Sequence, residues 1–261
     1  MLSAAAAGGV AAAWVGFLEP RWFQLTHTHI PFSGIKPKKI LHLSDLHVSD
    51  GMAPSDLTAG LAAGLREKPD LICLTGDYIT RSHSFDADGL KNLLREAAGS
   101  APTYAVMGNH DAVLQLSGLD SSAPLVELMA PTGVRLLENS ALVHDDLNIV
   151  GVADLWSHNY RPEQAFAMID SSKPSVVLSH NPDSKAGMFD YPWKVMLSGH
   201  THGGQARIPG VACSWAPVKD KRFLAGLYSW EGKQLFITRG LGSPGHVRAF
   251  CRPEVSILHL G

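Results

Sequence analysis

The chain has 261 residues, 45% of them hydrophobic and 18% charged, which is enough to bury a sizeable core and excludes a disordered or fibrous protein. Twenty-two Lys plus Arg against 24 Asp plus Glu leave a formal charge of −2, which argues against a protein that wraps nucleic acid. Three cysteines, Cys73, Cys213 and Cys251, are too few and too scattered for a disulfide framework or a zinc ribbon, whereas the 13 histidines stand out.

The segment 1–25 is read apart from a domain spanning 26–261. Residues 2–18 carry no charge, are mostly Ala and Gly, and are marginal in length for a membrane span. Glu19-Pro20-Arg21 ends the run, with Trp14, Phe17, Trp22 and Phe23 around it where a membrane interface would lie. The segment is therefore either a membrane anchor or contact, or a helix packed on the domain. After a turn-rich linker with Pro31, Gly34 and Pro37, strands and helices alternate. Strands are predicted over 40–44, 71–75 and 103–107. Helices are predicted over 55–67, over 86–98 with Gly99 as the stop, and over 123–129. A hairpin follows at 142–152, a helix over 161–169 with Pro162 near its start, and strands over 175–178 and 195–198. The last third alternates strands at 222–228, 234–238 and 255–260 with turns. Alternating β and α, then mostly β, predicts an α/β protein of stacked sheets flanked by helices.

Five polar clusters stand directly after five apolar strands. They are Asp45-Leu46-His47, Gly76-Asp77, Gly108-Asn109-His110-Asp111, Ser179-His180, and Gly199-His200-Thr201-His202. Ligands of open α/β sheets bind beyond the carboxyl ends of strands, so these clusters can meet in one cleft. Asp, Asn and His suit borderline divalent metals such as Mn, Zn and Fe. In an extended segment Asp45 and His47, two apart, point the same way, and His200 and His202 repeat that spacing. Gly76, Gly108 and Gly199 permit tight turns. One Asp-x-His alone says little, because lone histidines are usually surface or core residues; five ligand-type clusters at five strand ends are not explained that way.

This series resembles the calcineurin-like metallophosphoesterase family over residues 40–260. The resemblance implies a four-layer αββα sandwich with two divalent metal ions at the strand ends. It places Asp45, His47 and His202 on the first ion, Asn109, His180 and His200 on the second, and Asp77 between the two. Two such ions activate water for in-line attack and clamp the phosphate oxygens. His110, beside Asn109, is positioned to protonate the leaving oxygen, and Asp111 to orient its ring. The run 199–205, the tail 239–245 and Glu19-Pro20 resemble one bacterial, often membrane-associated branch, close to enzymes that cleave UDP-2,3-diacylglucosamine in lipid A synthesis.

Arg81, Arg207 and Arg248 are candidate substrate contacts, since guanidinium forks match phosphate oxygens. Trp156, Trp193, Trp215 and Trp230 are candidates for an acyl groove or, equally, for satellite core. The expected function is a dinuclear phosphoesterase acting at the membrane surface on a lipid-linked nucleotide, peripheral on the cytoplasmic face of a bacterial inner membrane. The alternatives are a cytoplasmic phosphomonoesterase or phosphodiesterase on soluble substrates and an inactive binding protein of the same fold. No nucleic-acid partner is expected.

Overall fold

Strands whose every side chain is apolar must be covered on both faces. In the computed structural model, which describes residues 9, 12–80, 85–113, 122–207, 210 and 216–261, two six-stranded sheets provide that cover for one another. The first has the order β1 (Gln24–Ile30), β12 (Glu254–Leu260), β2 (Lys38–Leu43), β3 (Leu71–Thr75), β4 (Thr103–Val106) and β5 (Arg135–Leu136). The second runs β10 (Gly226–Trp230), β11 (Lys233–Ile237), β9 (Val195–Ser198), β8 (Ser175–Leu178), β7 (Leu147–Gly151) and β6 (Ser140–His144). β2, β3 and β4 are mutually parallel, as are β7, β8, β9 and β11, so each sheet gathers several strand ends on one edge.

Successive residues of these strands enter different layers. Ile40, Leu71 and Cys73 face Val176, Leu178 and Leu197 in the core between the sheets. Leu41, Ile72 and Leu74 point the other way, onto Leu57, Leu61, Leu90 and Leu94. Those four come from helices α1 (Pro54–Arg66) and α2 (Ala87–Ser100). On the far side Val150, Val177 and Met196 meet Phe166, Met188 and Trp193. Phe166 closes the short helix α5 (Pro162–Phe166). Helix, sheet, sheet and helix thus form the expected four-layer αββα sandwich. Burying each of these Leu, Ile or Val side chains contributes roughly 1.5–3 kcal/mol.

Local signals set most boundaries. Pro54 opens α1, and the Asp56 carboxylate accepts from the Ala53 N–H at 3.1 Å. Asp86 caps α2 by accepting from the Gly89 N–H at 2.8 Å. Gly99 does not end that helix, which continues through Ser100. Two shorter helices complete the chain order, α3 (Asn109–Val113) and α4 (Ser122–Met129).

Two of the elements that differ from the sequence reading are β1 and β10. β1 was unexpected: its Gln-Leu-Thr-His-Thr-His-Ile is polar because it is the sheet edge and half exposed. β10 starts at Gly226, four residues later than predicted, because Arg222 turns back onto Asp220 at 2.7 Å. Trp14–Leu18 is a π-helical stretch followed by a 3-10 turn at Glu19–Arg21. Glu19 is buried, accepting from the Cys251 N–H at 2.6 Å and from Trp14 Nε1 at 3.0 Å. Among the described residues, no helix is long and apolar enough to cross a membrane.

Candidate metal centre

All five predicted clusters fall on the same edge of the sandwich, directly after β2, β3, β4, β8 and β9. Their side chains converge into three overlapping groups: Asp45, His47 and His202; His47, Asp77 and His110; Asp77, His180 and His200. Within each group the potential ligand atoms lie within 4.8 Å of one another. The backbone that achieves this is not the extended one the two-residue spacings suggest. Asp45, His47, Asp77, His200 and His202 all have φ between 50° and 70°. A non-glycine residue held in this left-handed region costs on the order of 1–3 kcal/mol and persists only where its surroundings fix it.

Several hydrogen bonds fix it. The Asp45 N–H donates to the Gly76 carbonyl at 2.9 Å and the His47 N–H to the Asp77 carbonyl at 3.0 Å, joining the first two loops. The His200 N–H donates to Asp45 Oδ1 at 3.0 Å, which ties the second sheet to the first. Gly76 meets the turn with a φ of 85°, as expected. Gly108 acts otherwise. It has no positive φ, but a Cβ there would strike Asp77 Oδ1 and stand 2.5 Å from the Asp77 backbone nitrogen.

The donor set fits metal ions by its spacing. With metal–nitrogen bonds of ~2.0–2.1 Å, atoms sharing one tetrahedral ion lie ~3.3 Å apart. His47 Nε2 is 3.2 Å from His202 Nε2, which is 3.3 Å from Asp45 Oδ1. His180 Nε2 is 3.1 Å from Asn109 Oδ1, 3.1 Å from His200 Nδ1 and 3.2 Å from Asp77 Oδ2. Asp77 Oδ2 is also 3.5 Å from His47 Nε2, so this carboxylate stands between the two sets. The ring nitrogens turned away are held by carbonyls: His180 Nδ1 donates to Thr75 O at 2.7 Å and His200 Nε2 to Pro217 O at 2.9 Å. Because carbonyls only accept, the inward nitrogen of each ring is the one that carries the lone pair when the imidazole is neutral. The buried His and Asp clusters fit a dinuclear metal site.

Electrostatics point the same way. Burial pushes His47 and His200 down to about 3 and His202 well below the usual histidine value, so these imidazoles are neutral ligands at pH 7. Burial also disfavours charge on Asp77, but His180, His47 and His110 overcome it and hold the carboxyl well below the usual range. Asp45 is pushed up to about 6, chiefly by burial and against the pull of His180. His180 resists burial and rises to about 10 because Asp77, Asp45 and Asp154 surround it with negative charge. Metal ions compete with protons for such atoms.

The residues around this centre are distributed less evenly. A cavity of about 470 Å³ opens over it, lined by Asp77, Asn109, His110, Trp156, His200 and Val247 among others. The His110 backbone N–H donates to Asp77 Oδ1 at 2.8 Å, and its ring meets that of His47 edge-on at 5.0 Å. Asp111 is buried, and its carboxylate accepts from the backbone N–H groups of Asp77 (2.8 Å), Tyr78 (3.0 Å) and Gly108 (2.9 Å). Those bonds join the β3 and β4 loops, whereas the sequence reading pairs this carboxylate with the His110 ring.

Arg248, read from the sequence as a substrate contact, is fully buried. Its guanidinium donates to the carbonyls of His202 (2.9 Å), Arg239 (2.8 Å) and Gly242 (2.6 Å). Arg207 is exposed beside Ala206, which lines the cavity, and Arg81 lies outside the described residues. Trp156 stands edge-on to His200 at 4.7 Å, while Trp193 is core and Trp230 stacks on it at 6.2 Å; Trp215 lies outside the described residues. Sequence reasoning missed the part played by Asp154. It is buried, caps its own loop by accepting from the Trp156 N–H at 2.8 Å, and adds to the negative charge around His180. A carboxylate three residues past β7 was the available signal.

The fold and this centre define a class, and comparison with known proteins gives it a name. Residues 38–204 match the family model described as calcineurin-like phosphoesterase, and the chain belongs to that family. It is a metal-dependent phosphoesterase. The phosphodiesterase YaeI of Escherichia coli is 39% identical over 95% of this chain and 92% of its own length. The UDP-2,3-diacylglucosamine pyrophosphatase LpxG of Chlamydia muridarum is 26% identical over 94% of this chain and 91% of its own. Among solved structures, the sulfate thiohydrolase SoxB of Thermus thermophilus superposes with a TM-score of 0.53. It is 12% identical over 78% of this chain and 52% of SoxB, a likeness of fold alone.

Proposed function

We propose that the protein hydrolyses phosphodiester bonds, using two divalent ions held by Asp45, His47 and His202 on one side and by Asn109, His180 and His200 on the other, with Asp77 shared. The observation that carries this reading is the pair of donor sets meeting at one buried carboxylate, joined to 39% identity with a phosphodiesterase along nearly the whole chain. Bound there, the ions supply a nucleophilic oxygen at neutral pH and draw charge from the phosphate. Manganese is the first ion to test, with zinc and iron next. The chain's own part is positional and acid–base. His110 faces the cavity and donates a proton to the departing oxygen. Asp111 holds the loops bearing Asp77 and Asn109 in register. Arg248 acts from beneath, by fixing the carbonyls of the loops that carry His202 and Arg239, and Arg207 at the rim is the described guanidinium left to meet a phosphate.

A second reading has one specific observation in its favour. Phe17, Trp22 and Phe250 are 60%, 51% and 70% exposed, and Val247, three residues before Phe250, lines the cavity. An apolar rim of this kind suits a lipid-linked substrate such as UDP-2,3-diacylglucosamine, cleaved at its pyrophosphate by an enzyme resting on the cytoplasmic face of an inner membrane through residues 1–25. Rates with a soluble diester and with UDP-2,3-diacylglucosamine in detergent, both with manganese, separate the two. Turnover of the soluble diester with none of the lipid supports the first reading, and the reverse supports the second. A protein inert toward both refutes each.

A further inference from the structure

Far from the metal centre in sequence, three histidines stand together on the edge of the first sheet. β1 pairs in parallel with β12, so that His29 lies opposite His259 and His27 sits two residues before it. Side chains two apart share a strand face, and His259 joins that face from the neighbouring strand. The rings of His27 and His29 both stack on His259, with centroids 5.4 and 4.7 Å away. His27 Nδ1 is 3.1 Å from His259 Nε2, and both β1 histidines are exposed.

Packing does not account for this grouping, because exposed imidazoles gain little from one another and repel when protonated. The 3.1 Å between two ring nitrogens repeats the spacings at the metal centre, 3.1 Å for His180 and His200 and 3.2 Å for His47 and His202. It matches the edge of a four-coordinate shell around an ion bound at ~2.0–2.1 Å. Imidazole nitrogens alone select borderline ions over magnesium or calcium.

We propose that His27, His29 and His259 form a second, surface site for a borderline divalent cation such as zinc, nickel or copper(II), separate from the phosphoesterase centre. His27 Nδ1 and His259 Nε2, which share a hydrogen bond, provide two nitrogens once small side-chain rotations turn them onto a common ion. Rotation of the exposed His29 side chain brings a third, and water completes the shell. The neighbouring cation is Lys39, opposite His259 on β2, and its ammonium is drawn off to the Glu67 carbonyl at 2.6 Å. An ion held here pins the edge strand β1 to β12.

Calorimetric titration with zinc tests the site in the full-length protein. Asp77→Ala is the starting chain, so that binding at the phosphoesterase centre is weakened, and it is compared with the same chain also carrying His27→Gln and His259→Gln. The expected result is the loss of one zinc equivalent in the second chain, with unchanged thermal melting in chelator. His29→Gln alone, a change at an exposed position, weakens the same equivalent, and with Asp77 intact it leaves diester hydrolysis unaltered. Identical zinc stoichiometry and affinity in all these chains overturns the proposal and leaves the His27–His259 contact a hydrogen bond only.

Discussion

At the scale of single residues, Asp77 and His110 divide the work of the site. Asp77 Oδ2 lies within 3.5 Å of both His47 and His180, while its other oxygen accepts from the His110 backbone N–H. Changing the His110 side chain therefore leaves the contact to Asp77 in place. His110→Asn is expected to keep its full metal content and to lose ~10²–10⁴ in turnover, the usual worth of a positioned acid. The loss should shrink for a p-nitrophenolate leaving group, which departs without a proton, and be largest for an alkyl alcohol. Metal analysis alongside kinetics on two leaving groups checks this. Equal losses on both would remove His110 from the acid role.

At the scale of elements, the site is a set of loops clamped across two sheets. Asp111 carries much of the clamp, since its oxygens accept at least three backbone N–H groups from two loops. Leaving a buried donor without a partner costs ~1–3 kcal/mol, and Asp111→Ala orphans at least three such amides. Asp111→Ala should lower unfolding stability by about 3 kcal/mol or more, seen as a drop in the urea midpoint with unchanged slope. An unfolding free energy within about 0.5 kcal/mol of the parent would mean that the clamp is slack.

Much of this arrangement is legible in the residues and some is not. Leu71–Thr75, Ser175–Leu178 and Val195–Ser198 read directly because continuous apolar runs have no other place than a sheet covered on both faces. The polar clusters that follow them read as ligands for the same reason, having no role in that packing. β1 did not read, because an edge strand is free to be as polar as Thr-His-Thr-His. Nor did the left-handed backbone at Asp45, His47, Asp77, His200 and His202, which is fixed by hydrogen bonds from loops as distant in sequence as Asp45 and His200. Arg248 looked like a phosphate ligand by type, and only its three-dimensional surroundings put it under the site.

At the scale of the whole molecule, burying so many histidines ties stability to acidity. His42, inside β2, is pushed down to about 3 by burial, and its Nε2 is 2.9 Å from Thr75 Oγ1. The folded chain keeps it neutral, while the unfolded chain takes up a proton below ~6.5. Its contribution is therefore fully present above pH 6.5 and declines by up to about 1.4 kcal/mol per pH unit between 6.5 and 3. His42→Gln should flatten the fall in urea midpoint between pH 7 and pH 5 relative to the parent; an unchanged slope would contradict the assignment. Metal linkage acts in the same direction for every ligand at once. Ions at 100 times their dissociation constant stabilise by about 2.7 kcal/mol, so chelation should lower the melting temperature of manganese-supplied parent far more than that of manganese-supplied Asp77→Ala.

The most direct measurement joins composition to rate: ions per chain and hydrolysis of bis(p-nitrophenyl) phosphate, on the same manganese-supplied preparations of the parent and of Asp77→Ala. Two ions per parent chain with turnover, and the loss of both together in Asp77→Ala, is the predicted result. Undiminished hydrolysis without the Asp77 carboxylate, or hydrolysis by a parent that holds no ion, would contradict a centre built on two cations and their shared ligand.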